Sequence, residues 1–293
     1  MTCSTYARFA TVALCLAWGI PAIADSPIVL MPADVEVGSP ELIRVEGPPA
    51  ASIEGEWLGR KLQFFRGKNG RSWFALAGVD VEANPGPSIL TIRVSSPSGG
   101  PATTWNRPVE IHAARYRTST LSVPPKFVQP GPEQMEEIKR EREIKDKVFA
   151  ASATEPLWRG SFRAPVHATP TDSFGTRRVF NGKLDSVHTG MDFRAHMGTV
   201  VRASNSGVVV LAQPLYYEGN CVVIDHGEGL FTLSMHFSRI DVHPGEHVVA
   251  GQKLGLSGAT GRVTGPHLHW AVRWQGAYVD PAKLLRLNLD QVR

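Results

Sequence analysis

From about Asp25 to Ala114 the chain runs in short β-branched and aromatic stretches separated by turn residues. These stretches are Glu41 to Val45, Leu62 to Phe65, Ser72 to Leu76, Ile89 to Val94 and Val109 to His112, and runs of this kind predict strands. Leu90, Ile92 and Val94 alternate with Ile89, Thr91 and Arg93, the period of two that buries one face of a strand. Gly67-Lys68-Asn69-Gly70 separates two runs and carries the Asn-Gly signal of a tight hairpin. Residues 25–115 are therefore expected to form a small, mainly β, sandwich-like N-terminal domain without a constellation of chemical groups.

The pattern then changes. Pro124-Pro125 and Pro130-Gly131-Pro132 lead into a charged stretch from Glu133 to Lys147. There Glu136 and Arg140, Glu141 and Lys145, and Glu143 and Lys147 stand four apart with the acid first, the order that supports a helix. Met135, Ile138, Ile144 and Val148 make only a narrow apolar stripe, so residues 116–155 read as a Pro-rich and helical linker that could at most lie along a neighbour's surface. From Pro156 onward glycines are frequent. Val200-Val201, Gly207 to Leu211, Cys221 to Ile224, Phe231 to Met235 and His269 to Val272 read as strands bounded by Gly-Asn, His-Gly and Pro-Gly turns. A second all-β domain is expected over residues 156–286, with 287–293 as a tail.

The 293 residues, 42% hydrophobic and 20% charged, provide core for two modest domains. Arg8, the apolar run Phe9 to Ile20 and the small residues of Ala22-Ile23-Ala24 predict an export signal over residues 1–24, shorter than a bilayer span and ended by Pro21. Leu14 before Cys15 argues against a lipidated cysteine. Cleavage would leave Cys221 alone, so no internal disulfide and no transmembrane helix are expected in the mature chain, placed in the periplasm or cell envelope. The net charge of +4 suits an anionic wall polymer, and the mixed signs of the helical stretch argue against nucleic acid.

The chemistry is concentrated in the second domain. In Gly265-Pro266-His267-Leu268-His269-Trp270, strand geometry would place His267 and His269 on one face and Leu268 on the other. In His188-Thr189-Gly190-Met191-Asp192 a fully extended backbone would separate the end residues by roughly 13 Å. Gly190 is the natural place for a kink that brings them together. Two imidazoles and a carboxylate are a common catalytic zinc set that leaves a fourth position for water. His226, His243, His247 and His196 read as turn or surface positions, Asp225 as a turn cap, and Cys221 as an inert buried thiol.

An ordered series of motifs carries a family resemblance: Phe174-Gly175-Thr176-Arg177, His188 to Asp192, Gly219 to Gly227, Thr232 to His236, Val249-Ala250-Gly251-Gln252, Gly258-Ala259-Thr260-Gly261, Thr264 to His269, and Val279-Asp280-Pro281. Over Ser173 to Pro281 the chain resembles the lysostaphin/LytM-type zinc metallopeptidases, which implies a barrel-sandwich hybrid catalytic domain. The resemblance implies His188, Asp192 and His269 as ligands of one zinc ion per catalytic domain, and His236 and His267 as catalytic residues that do not bind metal. It further implies hydrolysis of peptide cross-links between peptidoglycan stem peptides. Some proteins of similar fold lack ligands and instead activate other wall hydrolases, and related enzymes can cut glycyl bonds in proteins; here all five residues are present. Ser234 departs from the tyrosine usual two residues before the histidine aligned with His236, and Phe237 from the usual leucine. The N-terminal domain resembles, loosely and without a motif, β modules that precede such catalytic domains, and could dock on wall or make a regulatory contact.

Overall fold

A computed structural model describes residues 27–47, 52–95, 100–182, 184–290 and 292. The expected export signal, residues 1–24, lies outside the described residues. The fold is mainly β.

The N-terminal part is two sheets packed face to face. One runs Ile28–Met31, Pro40–Glu46, Ser72–Gly78, Phe64–Arg66 in spatial order; the other runs Val35–Glu36, Thr103–His112, Gly86–Ser95, Ser52–Trp57, Arg60–Leu62. Alternation explains the packing: Leu90, Ile92 and Val94 are buried beside Ile43, Val45 and Trp57, while Ile89 on the opposite face is 62% exposed. The Asn-Gly hairpin joins Phe64–Arg66 to Ser72–Gly78, with Gly70 at φ +66° and the Asn69 side chain accepting the backbone N–H groups of Arg71 and Ser72.

The C-terminal part is built on a ten-stranded sheet whose central order is Pro170–Asp172, Gly190–Phe193, Leu268–Trp274, Leu230–Ile240, Gly219–Asp225, Gly207–Leu215 and His247–Val248. Its core contains Trp158, Met191, Phe193, Trp270 and Trp274. Leu42, Phe65, Phe74 and Leu76 of the N-terminal sheet belong to the same apolar cluster. The two parts are therefore fused through one core, and the Cβ that Gly78 lacks would meet the Val279 side chain at 2.6 Å. Leu287, Leu289 and Val292, in the segment read as a tail, are buried in this core as well.

The connecting segment is more ordered than a linker requires. Thr118–Leu121 forms a strand parallel to Arg177–Phe180, which in turn pairs with Leu184–Val187. The helix Pro132–Ala150 buries no residue completely, as its narrow stripe predicts. It nevertheless lies on the C-terminal part. Phe149 packs edge-on against Phe231, Glu141 accepts the Tyr216 backbone N–H, and Lys145 pairs with Glu218 instead of its helical neighbour Glu141. No helix among the described residues is long and apolar enough to cross a membrane.

Candidate metal centre and active site

Three adjacent strands build the centre. Gly190–Phe193 pairs with Leu268–Trp274 so that Asp192 and His269 are direct cross-strand neighbours, and His269 in turn opposes Met235 of Leu230–Ile240. His188 enters from the end of Leu184–Val187, held by backbone hydrogen bonds to Gly175 and Thr176 on both its N–H and C=O. This is the structural work of the Phe174-Gly175-Thr176 motif. Gly175 has φ +77°, and a Cβ there would stand 2.1 Å from the Tyr116 ring.

The three side chains converge, all buried. His188 Nε2 lies 3.1 Å from Asp192 Oδ1 and 2.9 Å from His269 Nδ1, and His269 Nδ1 lies 3.0 Å from the same carboxylate oxygen. His188 Nδ1–H donates to the Ser173 carbonyl at 2.9 Å, which leaves Nε2 as a bare lone pair facing the cluster. Two imidazole nitrogens and a carboxylate oxygen within about hydrogen-bond reach offer three lone-pair donors to one point, and at most one bridging proton could satisfy part of this. Such a donor set suits a divalent cation, and these are the residues of the described chain that cluster for one. Burial opposes ionisation of Asp192, but its contacts with His188 and His269 hold its carboxyl far below the usual range. Burial depresses His269 to about 4, so it stays neutral, the form that binds metal.

Gly190 does not act as the expected kink. It is the first residue of a regular strand and takes no left-handed conformation; His188-Thr189 is the break between the two strands. Its missing side chain matters for another reason, since a Cβ would stand 2.6 Å from both His269 Nε2 and the Trp270 carbonyl oxygen.

His236 and His267 face each other beside the cluster, with ring centroids 4.9 Å apart. Each is anchored through Nδ1, His236 to the Thr260 carbonyl and His267 to the Gly265 carbonyl, both at 2.8 Å. This leaves Nε2 of each ring facing away from its anchor, that of His267 lying 3.7 Å from Asp192 Oδ1. His236 sits on a β-bulge: Ser234 opposes Val222 and Phe237 opposes Asn220, so Met235 and His236 together face Cys221. Its φ of +66° is unusual for a residue with a Cβ, and its N–H leaves the ladder for the Glu218 carbonyl. Thr260, which receives the ring, is fixed by bonds from Asn220 N–H and to the Phe237 carbonyl, which accounts for the Gly258-Ala259-Thr260-Gly261 motif. Burial, then the neighbouring His267 and His269, push His236 well below the usual histidine range.

Two residues the sequence reading passed over complete the surround. Asp172 lies directly across from Asp192, and Arg178 Nη2 bridges them at 2.5 Å to each carboxylate. Arg117 adds a second cation on Asp172 at 2.5 Å. Arg178 thus occupies Asp192 Oδ2 and leaves Oδ1 for the cluster. Nothing in the local sequence marks this bridge, because its three members come from three strands.

The remaining histidines separate clearly. His196, His243 and His247 are exposed. His226 is not a surface residue: it is fully buried between the Ser206 carbonyl and Thr232 Oγ1, and burial lowers it to about 4. Asp225 accepts from Ser152 Oγ and the backbone N–H groups of Ala153 and Gly227. Cys221 is buried, and burial pushes its thiol up. Ser234 is buried opposite Trp270.

A β domain that gathers two histidines and an aspartate around one point, with two further imidazole bases alongside, has the side chains of a metallohydrolase centre. Residues 186–281 match Peptidase family M23. The chain is 48% identical over 132 residues to the peptidoglycan DD-endopeptidase ShyA of Vibrio cholerae, covering 44% of this chain and 31% of that protein. It is 42% identical over 98 residues to the DD-carboxypeptidase/endopeptidase Mpg of Neisseria meningitidis, covering 33% and 23%. The match thus spans about a third or less of these relatives' length. A solved structure from Pseudomonas aeruginosa, described as a peptidase M23, superposes with a TM-score of 0.65 at 27% identity, covering 85% of this chain and 94% of that one.

Proposed function

We propose that the protein is an exported zinc metalloendopeptidase that hydrolyses peptide cross-links of peptidoglycan in the periplasm or cell envelope. The observation that carries this reading is the convergence of His188, Asp192 and His269, with the anchored rings of His236 and His267 paired beside them. The names of the curated relatives support the substrate class. Residues 156–286 would form the peptidase domain, 25–115 the N-terminal β domain and 116–155 their connection.

His188, Asp192 and His269 would hold one zinc ion, which when bound supplies Lewis-acid polarisation of the peptide carbonyl and acidifies its water. Arg178 keeps Asp192 oriented, and the Ser173 carbonyl fixes the tautomer of His188. His236 and His267, each anchored through Nδ1, can accept the proton of the attacking water and return one to the departing amine. A histidine pair with both Nδ1 atoms tied to carbonyls loses little orientation during this exchange.

The test is to purify the protein, measure bound zinc, and incubate it with purified peptidoglycan beside a His188→Ala variant, following new amine ends by mass spectrometry. Zinc near one per chain and new amine ends, both lost in the variant, support the reading. Correctly folded protein without zinc would overturn it in favour of a non-catalytic module that binds wall or activates another hydrolase.

A further inference from the structure

Two cavities flank the histidine cluster. One, of about 400 Å³, is bounded by Asp192 and His267 and by the segment from Arg117 to Leu121; the other, of about 200 Å³, is bounded by His188, His236 and His269. Arg178 and Arg262 are the two side chains that line both.

These two arginines are held differently. Arg178 is consumed by Asp172 and Asp192. Arg262 lies over two aromatic rings, its guanidinium carbon 4.6 Å from the centre of Phe180 and 4.6 Å from that of Tyr217. Its backbone N–H bonds the Tyr217 carbonyl, while among the described residues no carboxylate or carbonyl pairs with its guanidinium. The acids that line the cavities are engaged elsewhere: Asp172 by Arg117 and Arg178, Asp192 by the cluster and Arg178, Glu218 by Lys145. Aromatic rings offer these N–H groups no carboxylate or carbonyl acceptor, so the fork that matches a carboxylate with two parallel hydrogen bonds remains available. A metal ion in the cluster would add positive charge to a cleft that already holds Arg117, Arg178 and Arg262.

We propose that Arg262 is a specificity-determining residue that receives a carboxylate of the substrate, so that the preferred peptide carries a free carboxylate close to the bond that is cut. This rests on the peptidase reading above and narrows its substrate class from peptide to anionic peptide. Water is partly excluded where Arg262 lies against Phe180 and Tyr217, which strengthens a charge-assisted pair relative to one on the open surface.

The experiment uses cross-linked peptide dimers isolated from peptidoglycan, as isolated and after conversion of their carboxyl groups to amides, with the wild-type protein, Arg262→Met and Arg262→Lys. The wild type is expected to prefer the acid form in kcat/KM by about tenfold or more, chiefly through KM. Arg262→Met should lose that preference, its kcat/KM falling much further on the acid form than on the amidated form, and Arg262→Lys should keep part of it. Equal wild-type kcat/KM for the two forms, a comparison that needs no variant, overturns the proposal. So does an equal loss on both forms in a folded Arg262→Met protein. A wild-type protein that cuts neither form overturns the peptidase reading itself, and this inference with it.

Discussion

Gly190 and His269 are in contact so close that a single methyl group at Gly190 would stand 2.6 Å from His269 Nε2. Gly190 opposes Ala271 and Asp192 directly opposes His269, whose Nδ1 lies 3.0 Å from the carboxylate, so moving the ring disturbs that contact. Gly190→Ala is therefore expected to displace the ring and weaken zinc binding by about 10- to 100-fold, the range seen when a ligand's orientation is lost. Crowding a packed site of this kind costs about 1–3 kcal/mol of stability as well. Zinc competition against a chelator, with thermal unfolding of the metal-free protein alongside, checks both.

Arg178 lets a second prediction isolate orientation from ligation. It contributes no lone pair, yet it holds Asp192 Oδ2 at 2.5 Å and ties that residue to Asp172. On the proposed function, Arg178→Gln should lower zinc affinity by about 10- to 100-fold while His188, Asp192 and His269 remain, and Arg178→Lys should recover only part because a single ammonium cannot reproduce the fork. Unchanged affinity in a folded Arg178→Gln protein would show that Asp192 is fixed by its strand alone.

What could be read from the sequence follows the range of the interactions. Strands with a period of two, the Asn-Gly hairpin and the charged helix depend on neighbours a few residues away, and each is found where the local pattern puts it. The five side chains His188, Asp192, His236, His267 and His269 stood out because their residue types and ordered motifs did, and the fold brings them together. The misread features depend on distant partners. Gly190 is small because of a residue in another strand, not because of a bend in its own. The Arg178 bridge and the stacking of Arg262 on Phe180 and Tyr217 are assembled from separate strands and loops. The strand Thr118–Leu121 exists because Arg177–Phe180 offers it an edge, and four residues carry too little periodicity to announce that.

On the proposed function, His236 would separate chemistry from metal binding. It makes no contact with the ligand oxygen of Asp192, its ring is held by the Thr260 carbonyl, and its bulge sets it apart from the ladder. His236→Asn, a residue that tolerates the φ of +66°, should leave zinc content unchanged and lower kcat by about 10²- to 10⁴-fold, the usual contribution of a positioned acid or base. Parallel measurement of bound zinc and of turnover on peptidoglycan fragments checks it; loss of zinc from the variant would mean that His236 belongs to the metal site.

The last prediction concerns stability and lies in the N-terminal sheet. Glu41 is fully buried in the strand Pro40–Glu46; one carboxylate oxygen accepts Ser39 Oγ at 2.6 Å and the other, Oε2, has no hydrogen-bond partner. Burial, only partly offset by the Ser39 hydrogen bond and Lys283, raises its pKa from 4.5 to about 8. The folded protein therefore keeps the proton that the unfolded chain releases above about 4.5, so this group's contribution is fully present below that pH and is lost as pH rises toward 8. The difference between those two values corresponds to an effect on the order of 5 kcal/mol. Glu41→Gln keeps the shape and the Ser39 contact without a charge to bury. It is expected to melt several degrees higher than the wild type at pH 8, with the gap closing as pH falls toward 5. Thermal unfolding of both proteins across that range decides the matter, and a gap that does not depend on pH would mean that Glu41 is ionised in the folded protein.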